Sequence, residues 1–143
     1  MSRVLYLATI TLTAAALVIG RPAAAAEEQH GEHFVACAKA CASCQLHCDS
    51  CFTHCLSLLA MGQKDHAKTA RLCADCAECC KLAATLSARQ SPLAGPACEC
   101  CAKCCDECEA ACAKHPDDKH MAQCAKACKD CAKACRDMLK SIK

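Results

Sequence analysis

The 143-residue chain has no tryptophan, one tyrosine and two phenylalanines. It therefore lacks the aromatic platforms on which nucleic-acid bases stack. With 17 Lys and Arg against 15 Asp and Glu, it also lacks the basic footprint that a phosphate backbone demands. Nucleic acid is excluded as a partner on both grounds. No segment alternates β-branched and polar residues, so no strand is predicted. Nor does the sequence show a nucleophile, base and orienting group that together would make an enzyme. Where a soluble helical bundle places Leu and Ile, this chain places cysteine, 21 times in all.

The first 26 residues read as a leader. Met1-Ser2-Arg3 is a short basic start, Val4 to Gly20 is an uncharged apolar run, and Arg21-Pro22 precedes the small residues Ala23 to Ala26. This is the pattern of a signal peptide cleaved after Ala26; a single membrane anchor is the competing reading, at the lower limit of length. Residues 27–143 then form one exported domain, free of the membrane once cleaved. Loss of Arg3 and Arg21 leaves its basic and acidic residues in balance, and Tyr6 departs with the leader. No twin-arginine pair is present, so the chain is expected to be exported unfolded and metal-free.

Every cysteine lies beyond this leader, and their spacing is helical. Cys37, Cys41, Cys44, Cys48, Cys51 and Cys55 recur at alternating steps of four and three, which places all six within roughly 80° of arc on one helix face. This first helix is expected from His33 or Phe34 to Ala60, stopped by Gly62. A second, from about Asp65 to Ala88, carries Cys73, Cys76 and Cys80; its seam projects back to Thr69 and His66 and forward to Ala83 and Ser87. Ser91 to Pro96 is a break rich in helix-stopping residues. A third helix to about Lys114 carries Cys98, Cys101, Cys105, Cys108 and Cys112. His115-Pro116-Asp117-Asp118 connects it to a fourth, in which either Asp can cap and Met121, Cys124, Cys128, Cys131, Cys135, Met138 and Ile142 repeat the seam. The predicted fold is all-α, an antiparallel up-down-up-down four-helix bundle with a cysteine-lined core. One end gathers Met61, His66, His115, His120 and Met121; the other is plugged by Phe34, Leu86, Leu93, Leu139 and Ile142. Cys79, Cys100 and Cys104 lie off the seams and are secondary candidates. His47 and His54, at the margin of the first seam, read as solvated flanks.

A core of thiols admits several readings. Cysteine packs as a small hydrophobe, but using it at nearly every seam position forfeits the packing of Leu. Disulfides are the usual meaning of cysteine in an exported chain, yet seam neighbours have Cβ atoms roughly 5–6 Å apart, beyond the reach of a disulfide. A disulfide or redox-buffer protein remains an alternative through cross-helix pairs, as does a zinc-binding, metallothionein-like protein. Zinc favours four-ligand sites assembled from a few separated pairs. A continuous seam suits a soft ion that accepts two or three sulfurs and shares them, which describes Cu(I). One Cu(I) per thiolate also leaves a buried core neutral at any filling. Met and His bind Cu(I) more weakly than thiolate clusters, so His66 and Met121 above all, then Met61, His115 and His120, suit transient capture at an entrance.

The repeated Cys-x-x-x-Cys units, among them Cys37 and Cys41, Cys44 and Cys48, Cys51 and Cys55, Cys124 and Cys128, and Cys131 and Cys135, resemble those of the Cys-rich four-helix-bundle copper storage proteins of bacteria. The resemblance covers essentially all of residues 27–143. It implies multiple Cu(I) ions bound by the eighteen seam cysteines, reversible loading, and association into tetramers. It further implies copper-delivering or copper-receiving protein partners, and storage for copper enzymes or for detoxification; for an exported member the location is the periplasm. Cys79, Cys100 and Cys104 depart from the family pattern.

Overall fold

Between the cysteines the chain places Ala, Lys, Glu and Gln, all strong helix formers. A computed structural model describes residues 23–142, with side chains from residue 31 onward. Four helices dominate: α1 (Ala23–Ala60), α2 (Ala67–Ala88), α3 (Ala94–Cys112) and α4 (Lys119–Ser141), with one 3₁₀ turn, Lys64–His66, leading into α2. There is no strand among the described residues. α1 packs on α2 and α4, and α3 packs on the same two. The short connections thus place successive helices side by side and close the ring as the predicted antiparallel bundle.

Three boundaries differ from expectation. α1 is already helical at Ala23 because the alanine run and Glu27-Glu28-Gln29 favour helix, and Gly31 costs only about 1 kcal/mol inside it. The rest of the expected leader lies outside the described residues. α3 begins at Ala94, inside the expected break; Pro96 falls in its first turn, where a missing N–H has no intrahelical partner to lose. Residues 64–66 form a 3₁₀ turn rather than the first turn of α2.

Two helices end in the same six-residue device. At the end of α1, Gln63 N–H donates to Leu58 O at 3.1 Å and Gly62 N–H to Leu59 O at 2.9 Å, with Gly62 at φ +85°. At the end of α2, Ser91 N–H donates to Leu86 O at 3.0 Å and Gln90 N–H to Ser87 O at 2.9 Å, with Gln90 at φ +48°. Both are Schellman motifs, but the second seats a glutamine where glycine is usual. α4 has a side-chain cap: Met121 N–H donates to Asp118 Oδ1 at 3.0 Å, so Asp118 is the capping residue of the adjacent pair.

All eighteen seam cysteines are fully buried. Each end of the sulfur column carries one fully buried methionine, Met121 near the start of α4 and Met138 near its end. Phe34, Ala83 and Ala94 join Met138 at the end where α1 and α3 begin, with Leu86 and Leu139 packed against them. Leu93 does not join that plug. It is 62 % exposed because it flanks α3 in the turn. Ile142 is only partly covered; it lies across α3, with its Cδ1 3.2 Å from where a Cβ on Gly95 would stand.

Candidate metal centre

The heptad rhythm fixes which side chains meet. Cys37, Cys44 and Cys51 on α1, seven residues apart, face Cys98, Cys105 and Cys112 on the diagonal helix α3 at Sγ–Sγ distances of 3.5, 4.0 and 3.9 Å. Cys80 reaches Cys131 across the other diagonal at 3.9 Å. Diagonal contact at this range is possible because the cysteine side chain is short. Adjacent helices are joined likewise, as by Cys41 and Cys131 at 3.5 Å and by Cys76 and Cys105 at 3.6 Å.

The result is a column of interlocking four-sulfur groups. In each of the sets Cys41/Cys101/Cys131/Cys135, Cys44/Cys76/Cys80/Cys105, Cys44/Cys48/Cys76/Cys128, Cys48/Cys108/Cys124/Cys128 and Cys51/Cys73/Cys112/Cys124, all sulfurs lie within 4.8 Å of one another. Cys44, Cys48, Cys76, Cys124 and Cys128 each belong to two of them. Three sulfurs each about 2.3 Å from a central ion in one plane stand about 4.0 Å apart, so the column already has the spacing of bound metal. All 21 cysteines are free.

The thiols share their protons through S–H···S contacts, and this divides them. Cys76 and Cys124 are held far below the ordinary thiol value, chiefly by hydrogen bonds with Cys105 and with Cys108 respectively. Cys112 is brought down to about 5, Cys108 contributing most. Cys80 and Cys128 are pushed far up, chiefly by Cys101 and by Cys105. Cys55, at the end of the α1 seam, is raised mainly by burial. A metal ion entering such a network takes the place of shared protons.

The end where α1 meets α2 and α3 meets α4 is rich in imidazole. His66 is buried, its Nε2 lies 3.3 Å from Gln63 Oε1, and its Nδ1 is buried without a hydrogen-bond partner. His66 and His115 have ring centroids 4.5 Å apart, and both line an open cleft of about 340 Å³ with Leu58, Gln63, Pro116 and Asp118. His54 stacks on exposed His120 with centroids 4.5 Å apart, and its Nε2 lies 2.6 Å from Asp118 Oδ2. Burial alone would raise the Asp118 carboxyl, but the Met121 N–H and then His54 outweigh it and hold it below the ordinary value.

Met61, expected at the entrance, lies exposed at this end in the turn that Gly62 closes. One residue at this end departs from expectation. His54, read as a solvated flank, belongs to the histidine cluster. The available signal was its place immediately before Cys55, the last seam cysteine of α1. His47 stays on the flank, half-buried beside a groove between α1 and α4. Off the column, Cys79, Cys100 and Cys104 come together on the outer face of α2 and α3.

Comparison with known proteins agrees with this geometry. The family described as copper storage protein (Csp) matches residues 28–140. Apo copper storage protein 3 from Bacillus subtilis is 39 % identical, with a TM-score of 0.64, over 73 % of this chain and 96 % of its own. A cytosolic copper storage protein from Streptomyces lividans, in a form described as holding five coppers, is 29 % identical, with a TM-score of 0.73, over 79 % of this chain and 97 % of its own. The same organism's protein loaded with 10 copper equivalents is 30 % identical, with a TM-score of 0.71, over 77 % and 86 % of the two chains. No match was found among curated proteins. Matched by the family model over nearly all its described length, and sharing its fold with solved members, the chain belongs to the copper storage protein family.

Proposed function

We propose that this chain stores multiple Cu(I) ions on the thiolates of its eighteen seam cysteines, from Cys37 to Cys135. The observation that carries the reading is the column of four-sulfur groups that share members. Separate zinc sites need four ligands each to themselves, whereas a soft monovalent ion uses two or three and leaves the others to its neighbours. Each Cu(I) that displaces one thiol proton keeps the buried column uncharged at every stage of filling. Anaerobic titration of the reduced protein with Cu(I) against a competing chelator tests this. The expected count approaches one ion per seam thiol; saturation at a few ions, with most thiols still free or paired, would favour the zinc or disulfide reading.

Copper is admitted at the histidine end. His66 presents a buried nitrogen without a partner, Met121 closes the column beside the cap of α4, and His115, His54 and His120 surround them. These ligands hold Cu(I) less tightly than clustered thiolates, so they pass it inward. The double variant His66→Ala, Met121→Ala should slow loading and leave capacity unchanged; reduced capacity at an unchanged rate would refute the assignment.

The protein is exported through a leader cleaved after Ala26 and works in the bacterial periplasm. Its role there is to supply copper enzymes or to keep copper harmless, with copper-carrying proteins as partners and tetramers as the assembled form. No described helix is long and apolar enough to cross a membrane. The Streptomyces lividans relative is a cytosolic protein, which makes N-terminal sequencing of the protein from fractionated cells the direct test of export.

A further inference from the structure

Three cysteines contribute nothing to the column. Cys79 on α2 and Cys100 and Cys104 on α3 each immediately precede a seam cysteine, as Cys79-Cys80, Cys100-Cys101 and Cys104-Cys105. One residue along a helix turns the side chain by about 100°, so the partner that faces the core sends its neighbour to the outside. α2 and α3 are adjacent, and the three outward thiols meet on one face. Cys79 Sγ lies 3.0 Å from Cys104 Sγ and 3.9 Å from Cys100 Sγ. Cys100 is exposed and the other two are half-buried, whereas every seam thiol is fully buried. Cys79 and Cys104 lean against the edge of the core, but their sulfurs join none of the four-sulfur groups described above, and Cys100 is exposed.

We propose that Cys79, Cys100 and Cys104 form a separate, solvent-facing site that holds one Cu(I) ion on three sulfurs and exchanges it with thiol ligands in solution. The inference rests on the reading of the column as a Cu(I) store. Three coplanar sulfurs around one ion stand about 4.0 Å apart. The Cys79–Cys100 separation of 3.9 Å already meets this, and the Cys79–Cys104 separation of 3.0 Å needs to open by about 1 Å, within reach of a side-chain rotation at the surface. Three thiolates complete a trigonal Cu(I) site, whereas Zn(II) here would have to take a water as its fourth ligand. Exchange involves no redox step: an incoming thiolate forms a bond to the ion, one cysteine–copper bond breaks, and copper remains Cu(I). Each cysteine that binds as thiolate gives up its proton to water, and each that is released regains one. The buried column has no exposed sulfur for such an approach; this trio does.

The test compares the reduced full-length mature protein with its C79S/C100S/C104S variant under anaerobic conditions. Both are loaded with excess Cu(I) and weighed intact by native mass spectrometry, which resolves single ions. The wild type is expected to hold one ion more at saturation, and the variant to keep the capacity of the column. Alkylation of the wild type with a bulky maleimide supplies a measurement that needs no variant: three thiols should react rapidly before loading and resist after it. Equal copper counts in the two proteins, or outer thiols alkylated equally fast before and after loading, would overturn the proposal. So would protection by Zn(II) but not by Cu(I). Failure of the storage reading is distinct, since both proteins would then saturate at only a few ions.

Discussion

The two ends of the bundle are built on the same plan and finished differently. Each has one fully buried methionine at the mouth of the sulfur column, Met121 at one end and Met138 at the other. Around Met138 the surroundings are hydrocarbon: Phe34, Ala83, Ala94 and Leu139. The Met121 end also has leucines packed on the core, Leu58 and Leu59, and adds to them a capping carboxylate and two imidazole pairs. On the proposed route of entry, similar packing serves as a stopper at one end and as a ligand-bearing threshold at the other. The difference teaches that burial of a soft side chain says little about its task until its neighbours are known.

The largest expected effect concerns what lies between the ends. A ligand bound at a thousand times its dissociation constant contributes about 4 kcal/mol. Loading with Cu(I) should therefore raise the unfolding temperature by on the order of tens of degrees, as read by circular dichroism at increasing copper ratios. An unchanged temperature would remove the column from the binding site. Uptake should also release protons, because thiols such as Cys55 are held protonated by burial. Affinity should accordingly fall as pH falls.

The methionine pair separates stopper from threshold. Met138→Ala and Met121→Ala should each destabilise the metal-free protein by about 2–5 kcal/mol, measured by denaturant unfolding. Only Met121→Ala should also slow Cu(I) uptake in stopped-flow loading. Equal slowing by both would make the ends equivalent.

A smaller effect attaches to the cap of α4. Asp118→Ala should cost about 1 kcal/mol. The Asp118 carboxyl is depressed below its ordinary value of 3.8 in the folded protein, so its contribution is full above that value and is lost as pH falls through the lower folded-state one. Wild type and variant should therefore converge in stability once the pH falls below the depressed folded-state value; a gap that persists in strong acid would mean the cap does not act through its charge. The smallest effect belongs to the plugged end. Gln90→Gly relieves a left-handed residue in the turn after α2 and should stabilise by up to about 1 kcal/mol, with no change in copper uptake.

Much of this architecture was legible in spacing alone. The alternation of three and four residues identified every buried cysteine, and on α2 it reached beyond them to His66, Thr69, Ala83 and Ser87, all of which are buried. Periodicity works here because a helix turns at a fixed rate and the core is a straight line down its face. It cannot report events at the ends of helices, where the chain leaves that line. Leu93 was misplaced for this reason: it belongs to a turn whose hydrogen bonds, not its helical phase, decide its direction. His54 was missed for another reason. Its partners Asp118 and His120 lie at the start of α4, three connections along the chain, and only the closed ring brings them together. The outward trio shows the complementary case, in which phase alone placed three residues off the seam but said nothing of their mutual distance.

The sharing of Cys44, Cys48, Cys76, Cys124 and Cys128 between neighbouring groups bears on how such a protein tolerates damage. An active site built from one set of ligands fails outright when one of them is lost. In a lattice whose members serve two groups at once, a single oxidised or substituted cysteine removes a fraction of the inventory and leaves the remaining ions free to regroup around the gap. Function then declines in proportion to injury, as in a reservoir with many small compartments, and selection acts on the number and continuity of sulfurs more than on any one of them.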